Sequence, residues 1–272
     1  LIWQLRDRQL TFPRPLVMGI VNVTPDSFSD GGQFFDTSRA VAHALQLAAD
    51  GADILDIGGE STRPGATPVT EADELIRVVP VIRELAKQTN LPISIDTMKS
   101  AVARAAIDGG AVIVNDVAGL RDPAMAEVCR ETGVGVVVMH MQGTPATMQV
   151  NPTYGDVVRD TMTELQSRLA EIAIPADRVC LDPGIGFGKT LPQTLDQLKR
   201  LGEYCSLGRP ICLGVSRKGF LGQITGRDRP DRLAGTLSVN AFAMAMRAAQ
   251  IVRVHDVAAH RDAALLAGAI FA

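Results

Sequence analysis

Positive charge is scarce in this chain. Its 27 Lys and Arg stand against 30 Asp and Glu, a formal net charge of −3. A nucleic-acid or anionic-membrane surface needs a basic excess, so neither partner is expected, and an anionic ligand must be held by a few well-placed cations. Cysteine is scarce too: Cys129, Cys180, Cys205 and Cys212 show no metal-type pairing. Two of them, Cys180 and Cys212, fall inside predicted buried strands, so reduced thiols in a cytoplasmic protein are expected rather than disulfides. No apolar run approaches the roughly 18 residues of a membrane span, and no signal peptide is expected ahead of the fold. No linker, low-complexity stretch or repeat divides the 272 residues, and no Ser–His or Cys–His arrangement is evident.

What is present is a repeated grammar in which an apolar run ends on a residue able to do chemistry. Leu16–Val21 stops at Asn22, and Asp53–Ile57 runs into Gly58-Gly59-Glu60. Pro92–Ile95 stops at Asp96, Val112–Val114 at Asn115-Asp116, and Val134–Met139 at His140. Val179–Leu181 stops at Asp182, Ile211–Val215 at Ser216-Arg217-Lys218, and Ile251–Val254 at His255-Asp256. The runs are rich in Val, Ile and Leu without alternation, as strands covered on both faces are. Amphipathic helical stretches separate them: Ser38–Ala49, one opened by Thr70-Glu71-Ala72-Asp73, Ser100–Asp108, one opened by Asp122-Pro123 and closed by Gly133, then Asp156–Ala173, Leu191–Leu201, Pro230–Ala249 and Asp256–Ala267. Pro80 should kink the second of these, because a carbonyl four residues earlier loses its donor.

Eight strand–helix alternations in a chain near the ~250 residues typical of such a fold predict a single-domain (β/α)8 barrel spanning residues 1–272. The opening Leu1–Phe12 is read as a short hairpin capping the barrel's bottom. Helix-to-strand links are short, whereas Asn22–Phe35, Gly58–Val69, Met141–Gly155 and Pro183–Lys189 are long and rich in Gly, Pro, Ser and Asp. Binding is expected at that rim. Pro183–Thr190 approaches a phosphate-cradling loop, but Pro183 stands where the first glycine is required.

Taken in order, the rim segments resemble the dihydropteroate synthases. The first signature is Val17-Met18-Gly19-Ile20-Val21-Asn22-Val23-Thr24-Pro25-Asp26-Ser27-Phe28-Ser29-Asp30-Gly31-Gly32, the second Asp56-Ile57-Gly58-Gly59-Glu60-Ser61-Thr62-Arg63-Pro64-Gly65. Asp96-Thr97, Asn115-Asp116, Met139–Gly143, Asp182–Lys189, Ser216-Arg217-Lys218 and Arg253–Asp256 follow. The resemblance covers about Leu16 to Asp256 and on into the last helix; Met98, Ser100 and Gly219 stand at positions that vary.

That resemblance implies a cytoplasmic transferase of folate biosynthesis and a target of sulfonamides. It would join 6-hydroxymethyl-7,8-dihydropterin diphosphate to p-aminobenzoate, with Mg2+ assisting and a homodimer as the assembly. Asp96, Asn115, Met139, Asp182 and Lys218 would hold the pterin, the carboxylates accepting its paired N–H groups. Phe28, Thr62, Pro64, Phe187 and Ser216 would hold p-aminobenzoate. Asn22, Arg63, Arg253 and His255 would hold the diphosphate, with Asn22 also the metal contact. Lys218, Arg63 and Asp96 would carry the chemistry. A corrinoid methyltransferase that binds methyltetrahydrofolate, or a silent pterin-binding paralogue, is the competing reading. Ser61–Gly65 and Ser216–Lys218 weigh against the methyltransferase, and two intact loop motifs against the silent paralogue.

Overall fold

The structure, a computed structural model, describes residues 1–24, 33–62 and 66–271, the side chains of residues 33–36 excepted. A hairpin of β1 (Ile2–Gln4) and β2 (Gln9–Thr11) precedes the repeating part. Then come β3 (Leu16–Asn22), α1 (Gln33–Ala49), β4 (Ile54–Gly58), α2 (Glu71–Gln88), β5 (Ile93–Asp96), α3 (Ser100–Asp108) and β6 (Ile113–Asp116). The chain continues through α4 (Pro123–Thr132), β7 (Gly135–Met139), α5 (Val157–Ile172), β8 (Val179–Asp182) and α6 (Leu191–Lys199). It ends with β9 (Cys212–Leu213), α7 (Gly219–Thr225), α8 (Leu233–Ala245), β10 (Ile251–Val254) and α9 (Val257–Ile270).

The eight strands β3–β10 form one parallel sheet in the order β8-β7-β6-β5-β4-β3-β10-β9. A parallel bridge between Leu181 and Ile211 joins the two ends, so the sheet closes into the expected (β/α)8 barrel. Side chains alternate in and out along each strand, which sorts every run into two populations. Val17, Val21, Leu55, Ile57, Ile95, Val114, Val136, Val138, Leu181 and Val252 pack outward into the helix layer. Residues of the other parity point inward. At the bottom, Leu16, Met18, Ile54, Ile113, Val137, Cys180, Cys212 and Ile251 form a plug with Trp3 and Leu5 of the hairpin segment. Higher up, the same parity belongs to Asn22, Asp56, Asp96, Asn115, Met139, Asp182 and Arg253. One alternation therefore gives an apolar base and a charged top.

The hairpin docks through fully buried Trp3, whose indole N–H donates to the Arg178 carbonyl at 2.8 Å. Gly135 leaves room for it: a Cβ there would lie 2.4 Å from Leu5 Cδ2 and 3.2 Å from Trp3 Nε1. Helix ends follow the sequence signals. Thr70 Oγ1 accepts from the Asp73 amide, Asp122 accepts from the Ala124 amide, and Gly133 closes α4 at φ 72°. Pro80 leaves α2 continuous from Glu71 to Gln88. The carbonyl it deprives of a donor belongs to Ile76, a residue 48% exposed.

Two segments differ from the expectation. The run Ile211–Val215 is paired only at Ile211–Leu213, with Cys212–Leu213 as the strand proper, and a further helix, α7, follows Lys218. Pro230–Ala249 splits into a short turn of helix at Arg229–Asp231 and α8. Among the described residues, no helix is long and apolar enough to cross a membrane.

Candidate active site

A cavity of about 680 Å3 opens over the C-terminal ends of the strands. Asn22, Thr62, Asp96, Asn115, Met139, Asp182, Phe187, Ser216, Lys218, Arg253 and His255 all line it. Phe28, Arg63 and Pro64 lie outside the described residues.

The floor is an ionic cluster that the sequence reading only half anticipated. Fully buried Asp56 projects inward from the middle of β4. Its Oδ2 accepts from Arg253 Nε at 2.6 Å and from Asn115 Nδ2 at 3.1 Å. Arg253 Nη2 meets Asp96 Oδ2 at 2.5 Å. The guanidinium expected to face a diphosphate thus already bridges two carboxylates, with Nη1 outside both bonds. A carboxylate inside an otherwise apolar run, Ile54–Ile57, was the sequence signal for Asp56.

Burial pushes the Asp96 carboxyl above the usual range; Arg253 opposes this, while the charge of Asp56 adds to it. Asp182 is raised by burial as well, held back by Lys218 and by the Gly184 amide, which donates to its Oδ1 at 2.7 Å. The Lys218 ammonium is lowered by burial to about 8, which the Asp182 charge resists. Lys218 Nζ donates to the Ile185 carbonyl and stands 4.2 Å from the Phe187 ring centroid. Burial disfavours charge on Arg253 also, but Asp56 and Asp96 outweigh it.

His255 is not a cation. Burial, with the charges of Arg253 and Arg217 next, holds its pKa near 3. It sits beside Ser216, with Oγ and Nδ1 2.8 Å apart and its amide donating to Oγ at 3.1 Å. Arg217 between Ser216 and Lys218 adopts a left-handed φ of 56°, strained for a side-chain-bearing residue. Its amide donates to Thr236 Oγ1 at 3.0 Å and its Nε to Asp256 at 3.0 Å, so both its flanking side chains turn into the cavity.

The family described as pterin binding enzyme matches residues 18–255. The dihydropteroate synthase of Neisseria meningitidis serogroup C is 45% identical over 270 residues, 96% of this chain and 95% of the relative. The Yersinia pestis dihydropteroate synthase with a sulfonamide drug complex superimposes with a TM-score of 0.94 at 39% identity, covering 100% of this chain and 99% of that one. The chain belongs to the dihydropteroate synthase family. The enzyme of Xanthomonas albilineans solved with 4-aminobenzoic acid gives a TM-score of 0.92 at 46% identity, covering 100% and 98%.

Two further features of this dihydropteroate synthase fold escaped the sequence reading. Glu60, on the cavity wall, closes the neck of the loop that carries Thr62: its Oε1 accepts from the Val69 amide at 2.9 Å. Lys99 Nζ clamps it at 2.6 Å and also meets fully buried Glu74 at 2.5 Å. The second is Lys189, which is 4% exposed and bonded to His140 Nδ1, Gly184 O and Phe187 O. Comparison with a phosphate loop drew attention away from it; a lysine after three glycines gives no hint that it folds back into its own loop.

Proposed function

We propose that the chain condenses 6-hydroxymethyl-7,8-dihydropterin diphosphate with p-aminobenzoate, releasing 7,8-dihydropteroate and pyrophosphate. The observation that carries this is the convergence in one cavity of Asp96, Asn115 and Asp182 from the ends of three strands and Lys218 from the loop after a fourth. A pterin edge offers an amino group, ring N–H groups and a carbonyl. Asp182 and Asp96 supply acceptors, Asn115 a donor and an acceptor, and Lys218 a donor for the carbonyl. Met139 packs on the flat ring. An analogue lacking those donors would leave buried carboxylates unpaired, a costly state.

The C–O bond to diphosphate breaks, the arylamine nitrogen bonds to the exocyclic CH2 that the diphosphate leaves, and the amine proton goes to solvent. No strong general base is needed, because the amine is neutral and turns acidic on attack. The protein's task is to hold the amine in line and stabilise the departing charge. Lys218 and Arg253 supply fixed positive charge, and His255 and Ser216 neutral hydrogen bonds. Arg63, from the second loop, would add a cation there. Phe187 forms one wall for the aminobenzoate ring, with Thr62 and Ser216 beside it; the family resemblance assigns Phe28 and Pro64 to the same ring.

Asn22 is the residue that would contact Mg2+. Among the described residues no group of three His, Cys, Asp or Glu is arranged to hold a metal. A lone neutral oxygen on the cavity wall fits a hard cation held mainly by water and phosphate. When bound, the ion would act as a Lewis acid toward the leaving oxygens.

The chain pairs as a homodimer through α8 and α9. In support, Phe242 on α8, Met246 at its C-terminal cap, and Leu266 and Ile270 on the neighbouring α9 are 67%, 49%, 62% and 68% exposed. A cytoplasmic setting accords with four free cysteines, three of them buried. The test is pyrophosphate release, expected only with both substrates and Mg2+ present and suppressed by a sulfonamide in competition with p-aminobenzoate. Release without the arylamine would overturn the assignment.

A further inference from the structure

A buried ammonium must be matched donor for acceptor, and Lys189 is. Its Nζ reaches Gly184 O at 2.9 Å, Phe187 O at 3.0 Å and His140 Nδ1 at 3.0 Å, three acceptors that match the three N–H bonds of the ammonium, whose pKa burial and the Lys218 charge draw down to about 7. For Nδ1 to accept, the His140 proton must sit on Nε2, which lies 3.0 Å from Glu164 Oε2. Burial lowers the pKa of this imidazole against the pull of Glu164, which favours its accepting form. Glu164 stands half-exposed on α5, outside the cavity, so the chain Glu164–His140–Lys189 runs from the surface to the underside of the loop after β8.

That loop runs unusually close to its neighbour, with Ile185 fully buried in the core. Gly184 lies so close to β7 that a Cβ would fall 1.8 Å from the His140 carbonyl oxygen, at φ 65°. Gly188 is similarly tight, with a Cβ 2.9 Å from the Gln142 oxygen. Yet three parts of the pterin pocket hang from it. The Gly184 amide orients Asp182 Oδ1, the Ile185 carbonyl accepts from Lys218 Nζ, and the Phe187 ring lies beside that ammonium.

We propose that Lys189 is a positioning residue: nearly buried at the edge of the same cavity, its Nζ pins the Gly184 and Phe187 carbonyls and thereby sets Asp182 and Lys218 against the pterin. The inference rests on the function proposed above. Lys189 donates to the Gly184 and Phe187 carbonyls; the loop in turn donates to Asp182 through the Gly184 amide and accepts from Lys218 at the Ile185 carbonyl, and those two side chains face the ligand.

The test uses the full chain carrying Lys189→Met, which keeps the volume and removes the donors, and Lys189→Gln, which keeps two donors and is the safer variant for folding. Calorimetric titration with 6-hydroxymethyl-7,8-dihydropterin diphosphate, without the arylamine, should show Kd raised about tenfold or more for Met and less for Gln, at unchanged stoichiometry. A substitution that merely destabilised the barrel would lower the active fraction and leave Kd alone. Hydrogen exchange of the amides of residues 184–188 should accelerate about tenfold in the Met variant, the other strand ends keeping their protection. Wild-type Kd together with wild-type exchange in either folded variant overturns the proposal. If the unmodified chain failed to bind the pterin, the functional reading would fall, and the exchange at 184–188 would still decide whether the lysine holds the loop.

Discussion

Asp56 carries more of the site than its position in the chain advertises. One guanidinium, Arg253, is shared between it and Asp96, and the Asn115 amide leans on the same oxygen. Removing one partner of a buried pair leaves charge without compensation. Asp56→Asn is therefore expected to cost about 3–5 kcal/mol of stability, read from the urea midpoint at constant slope. It should also lower kcat/KM, because Asp96 and Asn115 lose their fixed orientation. An effect below about 1 kcal/mol would mean that Arg253 and Asp96 suffice as a pair. Sequence reading reached Asp96, Asn115 and Asp182 because each ends a strand. It passed over Asp56, whose inward direction is set two residues before its strand ends.

At the scale of elements, the local signals were the dependable ones. Thr70, Asp122 and Gly133 mark helix ends through bonds spanning two to four residues, so a neighbourhood of sequence contains all the physics. The helix Gly219–Thr225 had no such mark. Its first-turn cap, Lys218, makes no side-chain capping bond, and glycines at 219 and 222 dilute the helical pattern. Gly135 belongs to a different case: its requirement comes from a hairpin some 130 residues earlier in the chain. Gly135→Ala should cost about 1–3 kcal/mol by overpacking Leu5 and Trp3. Pterin affinity should be unchanged, since the clash lies at the barrel's opposite end. Guanidinium denaturation and ligand titration on one preparation would separate the two effects, and a stability equal to that of the parent would show that the hairpin docks loosely.

The whole molecule responds to pH through groups it buries. His255 has an ordinary pKa near 6.5 when unfolded and about 3 in the fold. The unfolded chain therefore binds a proton in that window that the native protein does not, and His255 withdraws stability as pH falls from 6.5 toward 3. The slope is about 1.4 kcal/mol per pH unit for one proton. Asp96, Asp116 and Asp182, raised by burial, act with the opposite sign below neutrality, because there the native state binds the extra protons. His255→Asn isolates the histidine. Between pH 7 and pH 5 the variant should gain up to about 2 kcal/mol relative to the parent, measured by urea unfolding at both values. Parallel pH profiles would show that His255 takes up its proton within the native barrel. Strand number, the apolar nature of both strand faces, the rim location of chemistry and the helix ends were all set in the sequence by itself, because each depends on residues close along the chain. Only the closed barrel decided that Arg253 joins Asp56 to Asp96, that His255 stays neutral and that Lys189 turns back beneath its loop. Those outcomes depend on which side chains share a water-poor interior, and the cost of burying charge has no counterpart until distant strands enclose it.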